Sequence, residues 1–263
     1  MDRTMRSPRH GAGYTITAAG TGEGRLQSLG SARALGRVPT GVPGLDSMIE
    51  GGLPEGRIIG VTGATGSGKT TLGLQFLQHG IAECNEAGVY VTLEDEVSDV
   101  VQDMARFGWN LREHIEGNRL AVVKSFIPTE VNTPRAVDIL LDDIHAAVTQ
   151  VNAKRLVFDS LSALGFCYTE TTNLRRDVLR LCALLRELGC TVVMVTEMPD
   201  RGEATMRFGL AQFVTQGMLV LHMAHAYRAL EVRKMRGTRH DINVHRLHFT
   251  EHGLKVAPGD HPF

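Results

Sequence analysis

The sequence predicts an α/β fold, a mostly parallel sheet with helices on both faces that is extended by antiparallel strands toward its C-terminal end. Three observations lead there. Between residues 57 and 196, short β-branched apolar runs alternate with amphipathic helical stretches, the pattern of a parallel sheet whose strands are joined by helical crossovers. Beyond that point the runs at 218–223, 228–235 and 245–249 follow one another with no helical stretch between them, which antiparallel pairing explains most economically. Finally, Gly63-Ala-Thr-Gly66-Ser-Gly68-Lys69-Thr70 lies between the first strand and the first long helix and satisfies the pattern G-x-x-x-x-G-K-[ST].

In chain order, residues 1–36 are rich in Gly, Ser, Thr, Ala and Arg with few large apolar side chains. They bury too little surface to offset their ordering entropy, so a mobile tail is expected. Prolines and glycines then punctuate a short helix at 45–50. The buried strand 57–61 follows, and after the Gly-rich loop a helix over 70–79 carries Leu72, Phe76 and Leu77. A strand at 88–93 ends in Glu94-Asp95-Glu96, and Ser98 is the expected N-cap of a helix running to about Phe107. A third strand, 120–123, precedes Thr133-Pro134, read as N-cap and first helical residue of a helix with Val137, Leu140, Leu141, Ile144 and Val148 on one face. Residues 155–159 form a strand ending in Asp159. Leu174, Val178, Leu181, Leu185 and Leu188 mark a helix stopped by Gly189, and 191–196 is another buried strand. One domain over 37–256 with a short tail at 257–263 accounts for the chain.

The loop residue types have a chemical reason. Glycines let successive backbone N–H groups turn inward around phosphate oxygens, Lys69 adds a point charge, and the Thr70 hydroxyl suits a magnesium ion. Gly63, Ala64, Thr65, Gly66, Ser67, Gly68, Lys69, Thr70 and Thr71 therefore form an expected nucleoside triphosphate cradle at a helix N-terminus. Hydrolysis also needs a carboxylate on the magnesium side and a group that orients or deprotonates water. Asp159 ends a hydrophobic strand and fits the first role, while Glu94 or Asp95 fits the second, with Glu94 preferred for its longer reach. The cluster Arg233-Lys234-Met-Arg236-Gly-Thr-Arg239 is either a solvated face or a pair, Lys234 and Arg236, on one strand face aimed at a single anion.

Bulk composition narrows the rest. The chain has 263 residues, 43% apolar and 22% charged, with a net charge of −1, which leaves no electrostatic footprint for nucleic acid or a membrane surface. No apolar run approaches the ~18 residues of a membrane span. Cys84, Cys167, Cys182 and Cys190 are widely spaced and read as buried, reduced thiols of a cytoplasmic protein. His222-x-x-His225 and His245-x-x-His248 place their members on opposite strand faces, so neither is a natural metal clamp.

With these pieces together the chain resembles the RecA-fold ATPases, and most closely a single KaiC-type domain. The resemblance runs from about residue 37 to 256. It rests on Pro39-Thr-Gly-Val-Pro-Gly-Leu-Asp46, Gly51-Gly-Leu-Pro54, the phosphate loop, Thr92-Leu-Glu-Asp-Glu96, Phe107-Gly-Trp-Asn-Leu111, Phe158-Asp-Ser-Leu-Ser162, Arg207-Phe-Gly209 and Leu230-Glu-Val-Arg-Lys-Met-Arg-Gly-Thr238. It implies a RecA-type P-loop fold with ATP and Mg2+ as cofactors, and a homo-oligomer, the family's hexameric ring, with nucleotide between subunits. It also implies a regulatory output through a protein partner the sequence does not name. Glu94 and Asp95 become catalytic, Thr70 and Asp159 magnesium-linked, and Lys234 and Arg236 groups that reach the neighbour's triphosphate. The family often has two glutamates where this chain has Glu94-Asp95, so slow turnover is expected. Where the family's clock protein has a Ser-Thr phosphorylation pair this chain reads Gln212-Phe213, so clock-type autokinase activity is not supported. Two rival functions are an ATP-gated binding module with little turnover and a RecA-like DNA-binding ATPase. The N-terminal cysteine cluster of a RadA-type repair protein is missing.

Overall fold

The computed structural model describes residues 35–125, 134–166, 168, 171–198, 209, 211–224 and 227–262. Of the tail expected at 1–36, residues 1–34 lie outside this set, as do Thr133, Cys167, Arg207 and His225. The chain opens with β1 (Arg37–Val38), α1 (Leu45–Met48) and β2 (Leu53–Pro54), with β1 and β2 paired antiparallel. Then come β3 (Ile58–Gly63), α2 (Lys69–Glu83), β4 (Gly88–Thr92), α3 (Val97–Ala105), α4 (Leu111–Glu116) and β5 (Leu120–Lys124). After α5 (Pro134–Val151) follow β6 (Arg155–Asp159), α6 (Leu161–Phe166), α7 (Thr171–Glu187) and β7 (Thr191–Glu197). The last strands are β8 (Gly217–Ala224), β9 (Tyr227–Met235), β10 (Val244–Thr250) and β11 (Gly253–Ala257).

The main sheet has the order β11-β10-β9-β8-β3-β7-β6-β4-β5. From β8 to β5 every pairing is parallel, and from β8 to β11 every pairing is antiparallel, so the expected division of the sheet is the observed one. Both faces are covered. Successive strand residues point to opposite sides: Val157 joins the core beneath α2 with Leu72, Phe76 and Leu77, whereas Leu156 and Phe158 join the core beneath α5 and α7 with Val137, Ile144, Val178 and Leu181. Helix α2 lies unusually close to β6. A Cβ on Gly73 would come within 2.8 Å of Val157 Cγ1, and one on Gly80 would overlap the Arg155 side chain. Two glycines in a helix interior cost about 1 kcal/mol each relative to alanine, and the close approach is what they provide.

Arg155 occupies that space. Its side chain is fully buried, and its Nε donates to Glu86 Oε2 at 2.6 Å. One terminal nitrogen donates to the carbonyls of Pro39 at 2.7 Å and Phe76 at 3.0 Å, and the other to Cys84 Sγ at 3.3 Å. The guanidinium lies 4.6 Å from the Phe76 ring centroid. A planar fork with five donors satisfies such a set, and an ammonium does not. Gln75 performs a second tie, its amide nitrogen donating to Gly41 and Leu254 carbonyls while its oxygen accepts from Leu254 N–H at 2.7 Å.

Several expectations are corrected. Ser98 does not cap α3. The N-cap is Glu96, and the Ser98 hydroxyl turns to Asp99 at 3.2 Å, because the chain leaves β4 through a turn built on Thr92 Oγ1, which accepts from the N–H groups of Glu94 and Asp95. Helix α4 was not anticipated; Asn110 caps it by accepting from Glu113 N–H. The thiols of Cys182 and Cys190 are buried, but Cys84 is half-buried against Arg155. Residues 257–262 are tied to β10, through Arg246 to Asp260 at 3.1 Å and Gly259 N–H to His245 Nδ1 at 3.1 Å. Among the described residues no helix is long and apolar enough to cross a membrane.

Arg155→Ala is expected to lower stability by about 3 kcal/mol or more, since it strips donors from two carbonyls at about 1–3 kcal/mol each and opens a cavity. Urea unfolding measures this, and Arg155→Lys should recover only a fraction because it lacks the fork.

Candidate functional site

The site forms where β3, β4, β6 and β7 end together at the carboxyl edge of the sheet. Register fixes the arrangement: Gly63 pairs with Glu197, and Thr92 with Asp159. The loop from Gly63 to Gly68 turns into α2 through two glycines with positive φ, Gly66 at 79° and Gly68 at 107°, a conformation closed to most side chains. Gly63 is required for another reason, as a Cβ there would overlap the Leu221 carbonyl and approach Ser67 Oγ to 2.7 Å. Ser67 Oγ is itself buried with no hydrogen-bond partner among the described residues, a polar atom held ready in the cradle. The loop and the first turn of α2 thus direct N–H groups and the positive end of a helix toward one point.

Lys69 is 8% exposed, and its ammonium donates to Ala64 O at 3.0 Å across the loop. Burial pushes its pKa down, against the opposing charges of Glu197, Asp159 and Glu94. Thr70 Oγ1 donates to Asp159 Oδ2 at 2.7 Å, and Tyr90 OH approaches the same oxygen at 3.5 Å. Burial lifts the Asp159 carboxyl to about 6, opposed chiefly by the Thr70 hydrogen bond and by Lys69, while Asp95 and Glu94 push it further up. A buried carboxylate and a hydroxyl 2.7 Å apart beside an anion cradle make a hard-oxygen pair of the kind magnesium takes, so the residues present fit that ion.

Glu94 and Asp95 are exposed at the same edge. Glu94 Oε2 accepts from Ser160 Oγ at 3.2 Å, and Ser160 Oγ accepts in turn from Ala163 N–H at 3.1 Å. The structure therefore brings together the loop, Asp159 and the Glu94-Asp95 pair, but it separates Lys234 and Arg236 from them. Met235 pairs with Gly217, and Gly217 with Ile59, which puts the basic pair at the amino end of β3, on the order of 13 Å along the strand from the same chain's loop. Nor do the two share a strand face. Lys234 lies in β9 and donates to the carbonyls of Gln212 at 3.0 Å and Thr215 at 2.7 Å. Arg236 lies beyond the strand end, exposed, in a turn completed by Gly237 at φ 73°.

Two features of the site were missed. Glu197 ends β7, and its Oε1 accepts from Thr65 Oγ1 at 3.2 Å; the signal was present, an acid closing a hydrophobic strand as Asp159 does. The second is an aromatic platform beside the loop. Phe249 would be 3.1 Å from a Cβ on Gly68, Phe107 stacks on it at 6.3 Å, and Arg228 covers it at 4.8 Å while donating to Gly66 O at 3.1 Å. Nothing in the sequence brings positions 107, 228 and 249 together. His222 Nε2 meets Glu231 at 2.9 Å, and among the described residues no group of three potential ligands could hold a metal ion.

With this geometry established, comparison with known proteins is direct. The family model "ATPase: KaiC" matches residues 38–261. The circadian clock oscillator protein KaiC of Prochlorococcus marinus is 35% identical over 229 residues, covering 84% of this chain and 46% of that protein. KaiC of Synechococcus elongatus is 32% identical over 233 residues, covering 86% and 45%. The chain thus spans about half the length of the curated relatives it matches. A crystal structure of a KaiC-like protein from the archaeon Pyrococcus horikoshii superimposes with a TM-score of 0.76 at 36% identity, covering 85% of this chain and all of that one. The chain has the RecA-type α/β fold and belongs to the KaiC family of ATPases.

Proposed function

We propose that the protein binds ATP with magnesium in the loop from Gly63 to Thr71, hydrolyses it slowly, and acts as a regulatory ring of identical subunits. The observation that carries this reading is the 2.7 Å contact between Thr70 and Asp159 beside the loop, a hard-oxygen pair of the kind magnesium takes. Lys69 and the loop amides hold the phosphates. Thr70 and Asp159 would hold magnesium, which would supply neutralising charge for the transferred phosphoryl group. Glu94 takes a proton from water, kept in place by Ser160, and Asp95 adds to the same field. The Phe107–Phe249–Arg228 platform offers a π face to a nucleobase. The position of Lys234 and Arg236 supports action on a neighbouring subunit, since their own loop is out of reach. The regulatory role comes from the relatives named as clock proteins, and its protein partner is a matter for pull-down from the source cell.

Glu94→Gln should retain ATP binding by calorimetry while phosphate release slows about 100-fold or more, because an amide cannot accept the proton. Unchanged turnover transfers the role to Asp95. Full binding without phosphate release in the parent protein would favour the ATP-gated module.

The Asp159 shift gives a pH signature. Its folded pKa, about 6, stands above the ordinary 3.8, so in the nucleotide-free protein its contribution to stability is full below the ordinary value and lost as pH rises through about 6. Asp159→Asn, neutral throughout, should gain stability relative to the parent over that interval in urea titrations at each pH. Magnesium requires the carboxylate, so magnesium-dependent tightening of ATP binding should fade in the parent below about pH 6 and be absent from the variant.

The ring is tested by mixing. Lys69→Ala chains have no working loop, and Arg236→Ala chains lack the trans group, so each alone should be inactive. Mixed rings contain some interfaces with both parts, and recovered ATPase activity would place Arg236 in trans. No recovery despite demonstrated subunit exchange would assign it a structural role.

A further inference from the structure

We propose that Glu197 sets the preference between ATP and ADP at the phosphate loop, its carboxylate opposing the γ-phosphate and so holding ATP affinity down. This deepens the nucleotide reading above and rests on it. β7 lies directly beside β3, with Glu197 opposite Gly63, and Met198 N–H donates to Gly63 O at 3.1 Å. Glu197 therefore leaves the sheet level with the first residue of the loop. Its own N–H donates to Ser162 Oγ at 2.8 Å, which fixes the backbone from the other side. The side chain then turns onto the loop, where Thr65 Oγ1 donates to Oε1 at 3.2 Å. Asp159 and Glu94 are engaged elsewhere, with Thr70 and Ser160, and each has a role in the proposed hydrolysis. Glu197 has none, yet of the three acids acting on Lys69 its charge has the largest effect.

The consequence follows from what the lysine does. In a loop of this type the lysine reaches the β- and γ-phosphates, so a γ-phosphate drawn to Lys69 enters the field of Glu197. The α- and β-phosphates, held by backbone N–H groups of the loop and the first turn of α2, lie further from the rim where Thr65 and Glu197 meet. A fixed negative charge there penalises the nucleotide with the extra phosphate more than the one without it. The result is a loop whose occupancy responds to the ratio of the two nucleotides instead of saturating with ATP.

Glu197→Gln keeps the length of the side chain and an oxygen for Thr65 while removing the charge. Calorimetric titration of the full chain with ATP and with ADP, magnesium present, should show the ATP Kd falling roughly three- to ten-fold in the variant, the scale of one like-charge contact near a surface. The ADP Kd should move by less than about two-fold on the same scale. Raising the salt to about 0.5 M should narrow the gap between variant and parent, since screening weakens an exposed charge and leaves a packing effect untouched. Glu197→Asp, which keeps the charge, should retain the parent's ATP to ADP ratio. Equal tightening of both nucleotides, weaker ATP binding in Glu197→Gln, or a salt-independent change overturns the proposal. Failure of the unsubstituted protein to bind ATP overturns the nucleotide reading itself and this inference with it.

Discussion

Everything at the carboxyl edge of the sheet depends on where α2 lies, and Arg155 is what locates it. One guanidinium joins the lead-in segment through Pro39, the middle of α2 through Phe76, its C-terminal end through Cys84, and the following connection through Glu86. A buried charge is costly unless each of its donors is used, and here every nitrogen of the fork has a partner. Because Arg155 begins the strand that ends in Asp159, the same strand that anchors the helix presents the carboxylate to the helix's second residue, Thr70. The contact between them is thus set from the far end of the sheet.

The electrostatics of the site follow from this placement. Three acids, Glu94, Asp159 and Glu197, act on Lys69 from the ends of three strands, while the loop amides and the α2 terminus supply the opposing field. Burial holds the Asp159 carboxyl above its ordinary range and Lys69 below its own, the acids working against the shift at Lys69. An anion at Lys69 and a cation at Asp159 would each favour the charged form, so occupancy of the cradle and the protonation of these two groups are linked.

Much of this was legible in the sequence. The strand, loop and helix around Lys69 were readable because each glycine there has a backbone reason, and Asp159 and Glu94 because a continuous apolar run, buried at every position, ends abruptly in a charge. Other features were not. Helix α4 depends on Asn110 and a stretch with a single fully buried residue, Leu111, too little for periodicity to register. β1 and β2 are two residues each, set by pairing and not by propensity. Phe107, Arg228 and Phe249 meet only because β10 folds back toward the loop, and long-range pairing leaves no local trace. Lys234 and Arg236 were readable as a cationic pair, but the strand end between them was not, since β9 stops at Met235 where the chain enters the turn at Gly237.

The glycines at 73 and 80 carry a mechanical consequence. At two points about two turns apart the backbone of α2 rests directly on side chains of β6, Val157 at Gly73 and Arg155 at Gly80, so these side chains key into the helix. Shear along β6 would have to repack both contacts, because close-packed interfaces rearrange by repacking side chains and not by continuous deformation. A slide of α2 would bring helix positions that carry a Cβ onto Val157 and Arg155, and the two glycines thereby set the register of the helix on the strand.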